Sequence, residues 1–165
     1  MNKVKAFILT VLLLLGLWLL LTAPVSVVEL IAGAVVAVVI ATLPTGANRL
    51  LHDVRVTPRA VFGAIVYLFV FLYELVKANL DVAGRVLAPS LPIRPGIVRI
   101  NTHLTSPLAR MLLASSITLT PGTITVETRG SEFFIHWITV REDDPEGATK
   151  AIAAKFERYL EVFLG

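Results

Sequence analysis

Long apolar runs separated by short polar breaks dominate the first half of the chain. Residues 6–21 carry no charge, and residues 25–43 form a second apolar run interrupted only by Glu29. At about 1.5 Å per residue these runs reach about 25 to 29 Å, slightly less than a hydrocarbon core of about 30 Å. The pattern predicts an antiparallel hairpin of helices over 6–22 and 25–43, with Pro24 in the first turn of the second helix.

The first run has the layout of a signal peptide, because Lys3 and Lys5 precede an uninterrupted apolar stretch. A signal peptide would end in a small-residue cleavage site, whereas here Thr22-Ala23-Pro24 leads directly into another apolar run. The run is therefore interpreted as an uncleaved anchor.

A third helix is predicted over 59–86, after a polar loop that begins with helix breakers at 44–48. Thr57 before Pro58 is a typical helix start, and residues 60–73 are wholly apolar or glycine. Beyond them the helix is expected to continue as an amphipathic extension, with opposite charges three or four residues apart on one face. These charged residues are Glu74, Lys77, Asp81 and Arg85.

The remainder of the chain predicts a small soluble domain over 89–165, after membrane helices that occupy 1–88. Strands are expected over 97–102, 123–128 and 133–140, the last two joined by a tight hairpin at Arg129-Gly130-Ser131. Helices are expected over 108–115, with Leu108, Met111 and Leu112 on one face, and from Pro145 to Phe163. The order β-α-β-β-α gives a small α/β fold with a sheet covered by two helices.

Composition supports this division between lipid and water. Hydrophobic residues make up 56% of the 165 residues, only 16% are charged, and the mean hydropathy is +0.79, whereas soluble domains have about 25% charged residues. So short a chain cannot bury that much apolar surface in one soluble core. The sequence therefore predicts an integral membrane protein.

Charge is distributed unevenly and bears on topology. Before Pro89 the chain has seven Lys and Arg residues and four acidic ones, whereas after it there are eight of each. The basic excess flanks the apolar segments, which indicates an interaction with anionic lipid headgroups and not with nucleic acid. Basic clusters lie before the first helix, in the loop before the third and after its apolar core, so three spanning helices would leave at least one cluster outside the cytoplasm. The alternatives are a shallow hairpin or a third helix that does not span.

No pattern of catalytic, cofactor-binding or metal-binding residues is visible. Cysteine is absent, which excludes disulfides, thiolate nucleophiles and cysteine-based metal sites. His52, His103 and His136 have no ligand-spaced neighbours, and Ser115-Ser116 lacks the glycines of a nucleophile elbow. The sequence predicts no enzyme, no cofactor and no metal.

The segment Thr120-Pro121-Gly122-Thr123 is better explained as a turn than as a phosphate site. No lysine follows the glycine, as a phosphate loop would require. Proline presets φ at the second turn position and glycine permits positive φ at the third, so a rigid type II turn leading into a strand is predicted.

The stretch LLASSITLTPGTITVE at 112–127, followed by FIHWI at 134–138, resembles the E subunit of the multisubunit Na+/H+ antiporters of the Mrp, Mnh or Pha family. The residues that carry the resemblance are Thr118, Thr120, Pro121, Gly122, Thr123, His136 and Trp137. It implies an accessory, assembly-supporting subunit of a complex that exchanges Na+ or another monovalent cation for protons. It further implies a bacterial plasma membrane, a cytoplasmic C-terminal domain, and partners that include large complex I-like and small hydrophobic subunits. Ion transport would belong to the larger subunits.

Two sets of residues remain candidates for contacts with other subunits. Glu29 is expected near the headgroups, with contact to another subunit's polar path as the alternative. The charged face from Glu74 to Arg85 is expected to pair with itself in solvent, with pairing to a partner subunit as the alternative. A second function stays open, that of a membrane-anchored module whose domain recruits a soluble partner or lipid.

Overall fold

The computed structural model describes residues 3–43, 54 and 57–164. The chain divides into two compact units, Met1–Val54 and Arg55–Gly165. The polar loop predicted between the second and third helices contains His52. Residues 44–53, 55 and 56 of this loop lie outside the described residues.

The first unit is the predicted hairpin, formed by α1 (Lys3–Leu21) and α2 (Val27–Thr42). Small residues at Gly33, Ala37 and Ala41 are buried on one side of α2, four residues apart, which lets the two helices approach closely. The prediction that Pro24 opens the second helix is wrong. Ser26 is the N-cap, and its hydroxyl accepts a hydrogen bond from the Glu29 amide, which satisfies an otherwise unpaired N–H group.

The second unit begins with α3 (Pro58–Leu87), a helix of 30 residues. Thr57 caps it by accepting a hydrogen bond from the Ala60 amide, and Pro58 occupies the first turn as predicted. In the described part of the chain, two helices are long and apolar enough to cross a membrane by length and composition, Val4–Leu21 within α1 and Pro58–Leu87.

The strands of the second unit form one antiparallel sheet in the order β1-β3-β2. They are β1 (Gly96–Asn101), β2 (Thr123–Arg129) and β3 (Glu132–Trp137), with α4 (Pro107–Leu119) between the first two. The hairpin predicted at Gly130 is confirmed, because Arg129 pairs with Glu132 and Gly130 has a φ of +62°. The chain closes with α5 (Pro145–Ile152) and α6 (Ala154–Leu164).

The core of the second unit lies on one face of the sheet only. Alternate strand residues such as Ile100, Phe133 and Ile135 are fully buried, and so are Leu113 of α4 and Phe156 of α6. The other face leaves Ile97, Ile124 and Val126 exposed. The predicted fold class, apolar N-terminal helices followed by a small α/β domain, is confirmed.

Three details of the domain differ from the sequence-based expectations. Helix α4 continues to Leu119, and its buried side contains Ala109, Leu113 and Ile117, while Met111 on the expected face is exposed. The third strand ends at Trp137 and not at residue 140. The closing helix is interrupted at Ala153, so it forms two helices.

Candidate functional site at the junction of α3 and the C-terminal sheet

The charged residues of α3 point toward the C-terminal domain. Arg85 donates from Nε and Nη2 to the two carboxylate oxygens of Asp81, at 2.9 and 3.1 Å, which confirms that predicted pair. Glu74 does not pair with Lys77 as expected. Its Oε2 accepts a hydrogen bond of 2.5 Å from Lys155 Nζ on α6. The Glu74 side chain is 14% exposed and that of Lys155 is 34% exposed, so this ion pair is partly buried.

Arg85 also fastens the end of α3 to the segments that flank the sheet. Its Nη1 donates to the Pro92 carbonyl at 3.0 Å and to Thr139 Oγ1 at 3.1 Å. With the Asp81 pair this makes four hydrogen bonds from one side chain that is 16% exposed. Arg85 therefore joins the last turns of α3 to the segment before β1 and to the segment after β3.

The motif residues before β2 form a hydrogen-bonded turn. The Thr123 amide donates to the Thr120 carbonyl at 3.3 Å, and Gly122 has a φ of +93°, the arrangement that a type II turn requires. The Gly122 carbonyl then accepts a hydrogen bond of 2.8 Å from the Ile138 amide. The turn thereby joins the end of α4 to the central strand.

The motif hydroxyls are used to hold backbone groups in place. Thr120 Oγ1 donates to the Ser116 carbonyl at 2.7 Å, and Thr123 Oγ1 donates to the Ile117 carbonyl at 2.7 Å. Thr118 Oγ1 accepts a hydrogen bond of 3.1 Å from the Thr125 amide. These hydrogen bonds connect the C-terminal turn of α4 to the first residues of β2.

A cavity of about 270 Å³ lies where the turn meets the charged side of α3. Motif residues and charged residues that are far apart in sequence line it together. Those lining residues include Lys77, Pro121, Thr123, Trp137, Arg141 and Lys155. We call this region, with Glu74, Asp81 and Arg85, the α3–sheet junction.

The two remaining motif residues lie on opposite faces of β3. Trp137 shares the inner face with Phe133 and Ile135 and lines the junction cavity. His136 lies on the outer face, paired in register with Ile97 on one side and Ile124 on the other. His103 lies in the connection between β1 and α4, and the described residues hold no group of three or more His, Asp or Glu that could bind a metal ion.

Glu29 lies in the first unit and has a partner there. Its Oε2 accepts a hydrogen bond of 3.2 Å from Trp18 Nε1 on the facing helix. The same indole packs against Gly33, where an added Cβ would come within 2.5 Å of the ring. Glu29 and Trp18 therefore act together as a polar tie between the two helices of the hairpin.

Sequence reasoning found the motif and the charges on α3, but it missed the residues that hold them. Lys155, Thr139 and Arg141 belong to the C-terminal domain, and Arg141 Nη2 lies 3.8 Å from Asp81 Oδ1. They are 54 to 81 residues away from their partners where hydrogen bonds form. No short-range spacing could have signalled them.

These features define a membrane protein in which polar side chains fasten helices to a small sheet. The chain belongs to the MNHE family of Na+/H+ ion antiporter subunits, whose family model matches residues 11–162.

Several known proteins resemble the chain. It is 34% identical over 102 residues to the E subunit of the Na(+)/H(+) antiporter of Alkalihalophilus pseudofirmus, with 62% of this chain and 65% of that one aligned. It is 36% identical over 93 residues to the corresponding antiporter subunit of Bacillus subtilis, with 56% and 59% aligned. The chain thus spans less than two thirds of the length of these relatives.

A solved structure extends the likeness to nearly the whole chain. A chain of the membrane-bound sulfane sulfur reductase (MBS), an archaeal respiratory membrane complex, is 41% identical and superposes with a TM-score of 0.82. The superposition covers 95% of this chain and 98% of that one. Both compact units therefore fall within the region of similarity.

Proposed function

We propose that the chain is an accessory subunit that supports the assembly of a multisubunit complex exchanging Na+ or another monovalent cation for protons. Family membership supports the complex, since the relatives are named as antiporter subunits. Its partners would be the large complex I-like subunits and the small hydrophobic subunits.

The observation that carries the accessory role is that the polar residues of the α3–sheet junction bind other groups of the same chain. Motif residues Thr120 to Thr123 hold backbone groups, and the carboxylates Glu74 and Asp81 are neutralised by Lys155 and Arg85. An ion pathway needs a series of polar or ionisable groups along a route through the membrane. The charged residues of the junction instead follow the apolar segment 60–73 of α3, and their bonds fasten α3 to the domain as a rigid frame for docking.

The hairpin supports the same conclusion. Between Lys5 and Leu43 the sequence contains one ionisable residue, Glu29, and that carboxylate accepts a hydrogen bond from Trp18. One carboxylate engaged in this way does not form a route across a bilayer. Transport by the complex would then depend on other subunits.

We infer that the hairpin of α1 and α2 crosses the membrane twice and that the C-terminal domain lies on the cytoplasmic side of a bacterial plasma membrane. The exposed side chains of both helices are mostly Leu, Val and Ile, as lipid requires. Lys3 and Lys5 lie at the start of α1, and Arg49 and Arg55 follow the hairpin in sequence, which favours the cytoplasm for both of its ends.

The similarity to a chain of an archaeal respiratory membrane complex favours a second candidate for the host complex. The relative in the archaeal respiratory membrane complex shares more identity with this chain, over more of its length, than the antiporter subunits do. The chain would have the same supporting role in such a respiratory membrane complex.

Purification in mild detergent tests the proposal. An affinity-tagged chain is expected to bring down several very hydrophobic proteins, whereas recovery of the chain alone would favour a membrane-anchored module that recruits a soluble partner or lipid. Redox centres among the co-purified proteins would indicate the respiratory host.

A pair of arginine variants tests the role of the junction. Arg85→Gln removes the tie between α3 and the sheet and is expected to reduce the yield of complex. Arg94→Gln removes an ion pair with Asp143 whose side chains are both more than 70% exposed, so it is the matched control and should assemble normally. Equal yields from the two variants would contradict a role for the junction in assembly.

A further inference from the structure

Helix α6 lies antiparallel along the apolar half of α3. At one end Lys155 binds Glu74, and at the other the ring of Phe163 lies 5.7 Å from that of Tyr67. At Gly63 the two helices approach so closely that an added Cβ would lie 2.6 Å from Val162 Cγ1. The apolar segment of α3 therefore has a helix of the C-terminal domain beside it along its length.

The opposite face of α3 is an uninterrupted apolar stripe. Its members recur at intervals of three, four or seven residues, which places them on one side of a helix that at about 1.5 Å per residue is about 45 Å long. We define the stripe by Phe62, Ile65, Phe69, Val76, Leu80 and Leu87, all exposed. The charged residues Glu74, Asp81 and Arg85 are on the other side, bound to the domain or to each other.

This arrangement argues against a helix that crosses the bilayer. If residues 60–73 lay across the hydrocarbon, α6 would lie in it as well, because the two helices are in contact over that segment. Arg158 and Glu161 of α6 are exposed, and exposed charged side chains are unfavourable in the hydrocarbon of a membrane. A helix lying in the plane of the interface keeps the stripe in lipid and α6 in water.

The distribution of basic residues points the same way independently. A hairpin that crosses twice returns the chain to the side from which it started. If α3 then stays at that surface, all seven basic residues before Pro89 lie on one side of the membrane, as the positive-inside rule favours. If α3 crossed, the loop before it and Lys77 and Arg85 after its apolar segment would be on opposite sides.

We propose that α3 is an interfacial helix that lies flat on the cytoplasmic membrane surface, with its stripe immersed in lipid and the C-terminal domain resting on its other face. The occupant of the stripe is the lipid surface, because the stripe is long, uncharged and aromatic, and because the basic residue Arg59 at the start of the same helix suits anionic headgroups. The domain is thereby held against the membrane along the whole helix.

Spin labels on single introduced cysteines measure the depth directly, and the chain has no cysteine of its own. The complete chain, with any subunits that co-purify, is reconstituted in vesicles of phosphatidylethanolamine and phosphatidylglycerol. The labelled sites are Phe62→Cys, Phe69→Cys and Val76→Cys on the stripe, with Leu13→Cys in α1 as the reference for the membrane interior. Each replaces an exposed side chain, so folding is expected to be preserved.

Three results are possible. An interfacial helix places the three stripe labels at the same shallow depth, within about 5 Å of one another, and this outcome supports the proposal. A spanning helix separates Phe62 from Val76 by about 20 Å along the membrane normal, and that profile would overturn it. Labels shielded from both oxygen and a water-soluble nickel complex would also overturn it, since a protein subunit would then cover the stripe.

Reporter fusions give a second reading that needs no reconstitution. Fusions at residues 52 and 165 are both expected to report the cytoplasm, since they flank a helix that does not cross. Opposite locations would show that α3 spans and would end the proposal, while leaving the proposed accessory role in the complex untouched.

Discussion

Adding one methyl group at Gly63 tests whether α6 rests on the apolar half of α3. In an open helical position, Gly→Ala stabilises a helix by about 0.5 to 1 kcal/mol. At Gly63 the new Cβ would lie 2.6 Å from Val162 Cγ1 and 3.2 Å from Val162 Cβ. Rotation of the valine cannot relieve the second contact, and valine in a helix is nearly restricted to one rotamer, so the helices must separate.

The expected cost follows from these two effects. Overpacking of this kind costs about 1 to 3 kcal/mol, and the gain in helix propensity offsets part of it, which leaves a net loss of about 1 to 2 kcal/mol for Gly63→Ala. Gly84 lies on the same helix with no described atom within 4 Å of an added Cβ. Gly84→Ala is therefore the matched control and is expected to stabilise α3.

Hydrogen exchange of the α6 amides in the full chain is the suitable assay, because it reports the local opening of α6. Gly63→Ala is expected to accelerate their exchange by about five- to thirty-fold, and Gly84→Ala is not. The double variant with Val162→Ala removes the obstructing methyl groups and should recover part of the loss, as coupled neighbours do. Slower exchange in Gly63→Ala, or strict additivity in the double variant, would show that α6 does not pack at Gly63.

Three further predictions concern the hairpin and the turns. Gly33→Ala places a Cβ within 2.5 Å of a rigid indole and is expected to lower the melting temperature in detergent, whereas Gly16→Ala, with no described atom within 4 Å, is not. Gly122→Ala combines a φ of +93° with a contact of 3.0 Å, so it should reduce complex yield more than Gly130→Ala, which has the positive φ alone. Glu29→Gln keeps an acceptor for the facing indole, so assembly and Na+/H+ exchange are expected to be unchanged, and a loss of exchange would implicate this carboxylate in a polar path.

The elements that local physics determines could be predicted from the sequence. The apolar runs indicated the helices, and the proline and glycine signals indicated the start of α3 at Pro58 and the hairpin at Gly130. The length of α4 was underestimated because β-branched and hydroxyl residues at 115–120 are typical of strands. In the structure those hydroxyls bond within the helix, as when Ser116 Oγ donates to the Leu112 carbonyl at 2.8 Å.

The candidate site could be predicted only in part, since its two halves are brought together by tertiary packing. The turn at Thr120 to Thr123 is a local structure and was recognised as such. The partner of Glu74 could not be predicted from the sequence. Lys77 lies three residues away and competes with Lys155 on another helix, and only the packing of α6 decides between them. The break at Ala153 has no local signal either, because neither proline nor glycine lies there.

The side of α3 on which the charged residues lie determines the boundary between the lipid-facing and water-facing parts of this unit. A boundary drawn along the sequence near residue 88 would place Glu74, Asp81 and Arg85 in the membrane region, yet these side chains are directed to the domain, where Lys155 and Thr139 bind two of them. The stripe on the opposite face stays apolar from Phe62 to Leu87. The boundary then follows one face of a helix and not a position in the chain. Consequently, a charge introduced on the stripe should weaken membrane attachment, whereas a charge removed at the α3–sheet junction should loosen the domain.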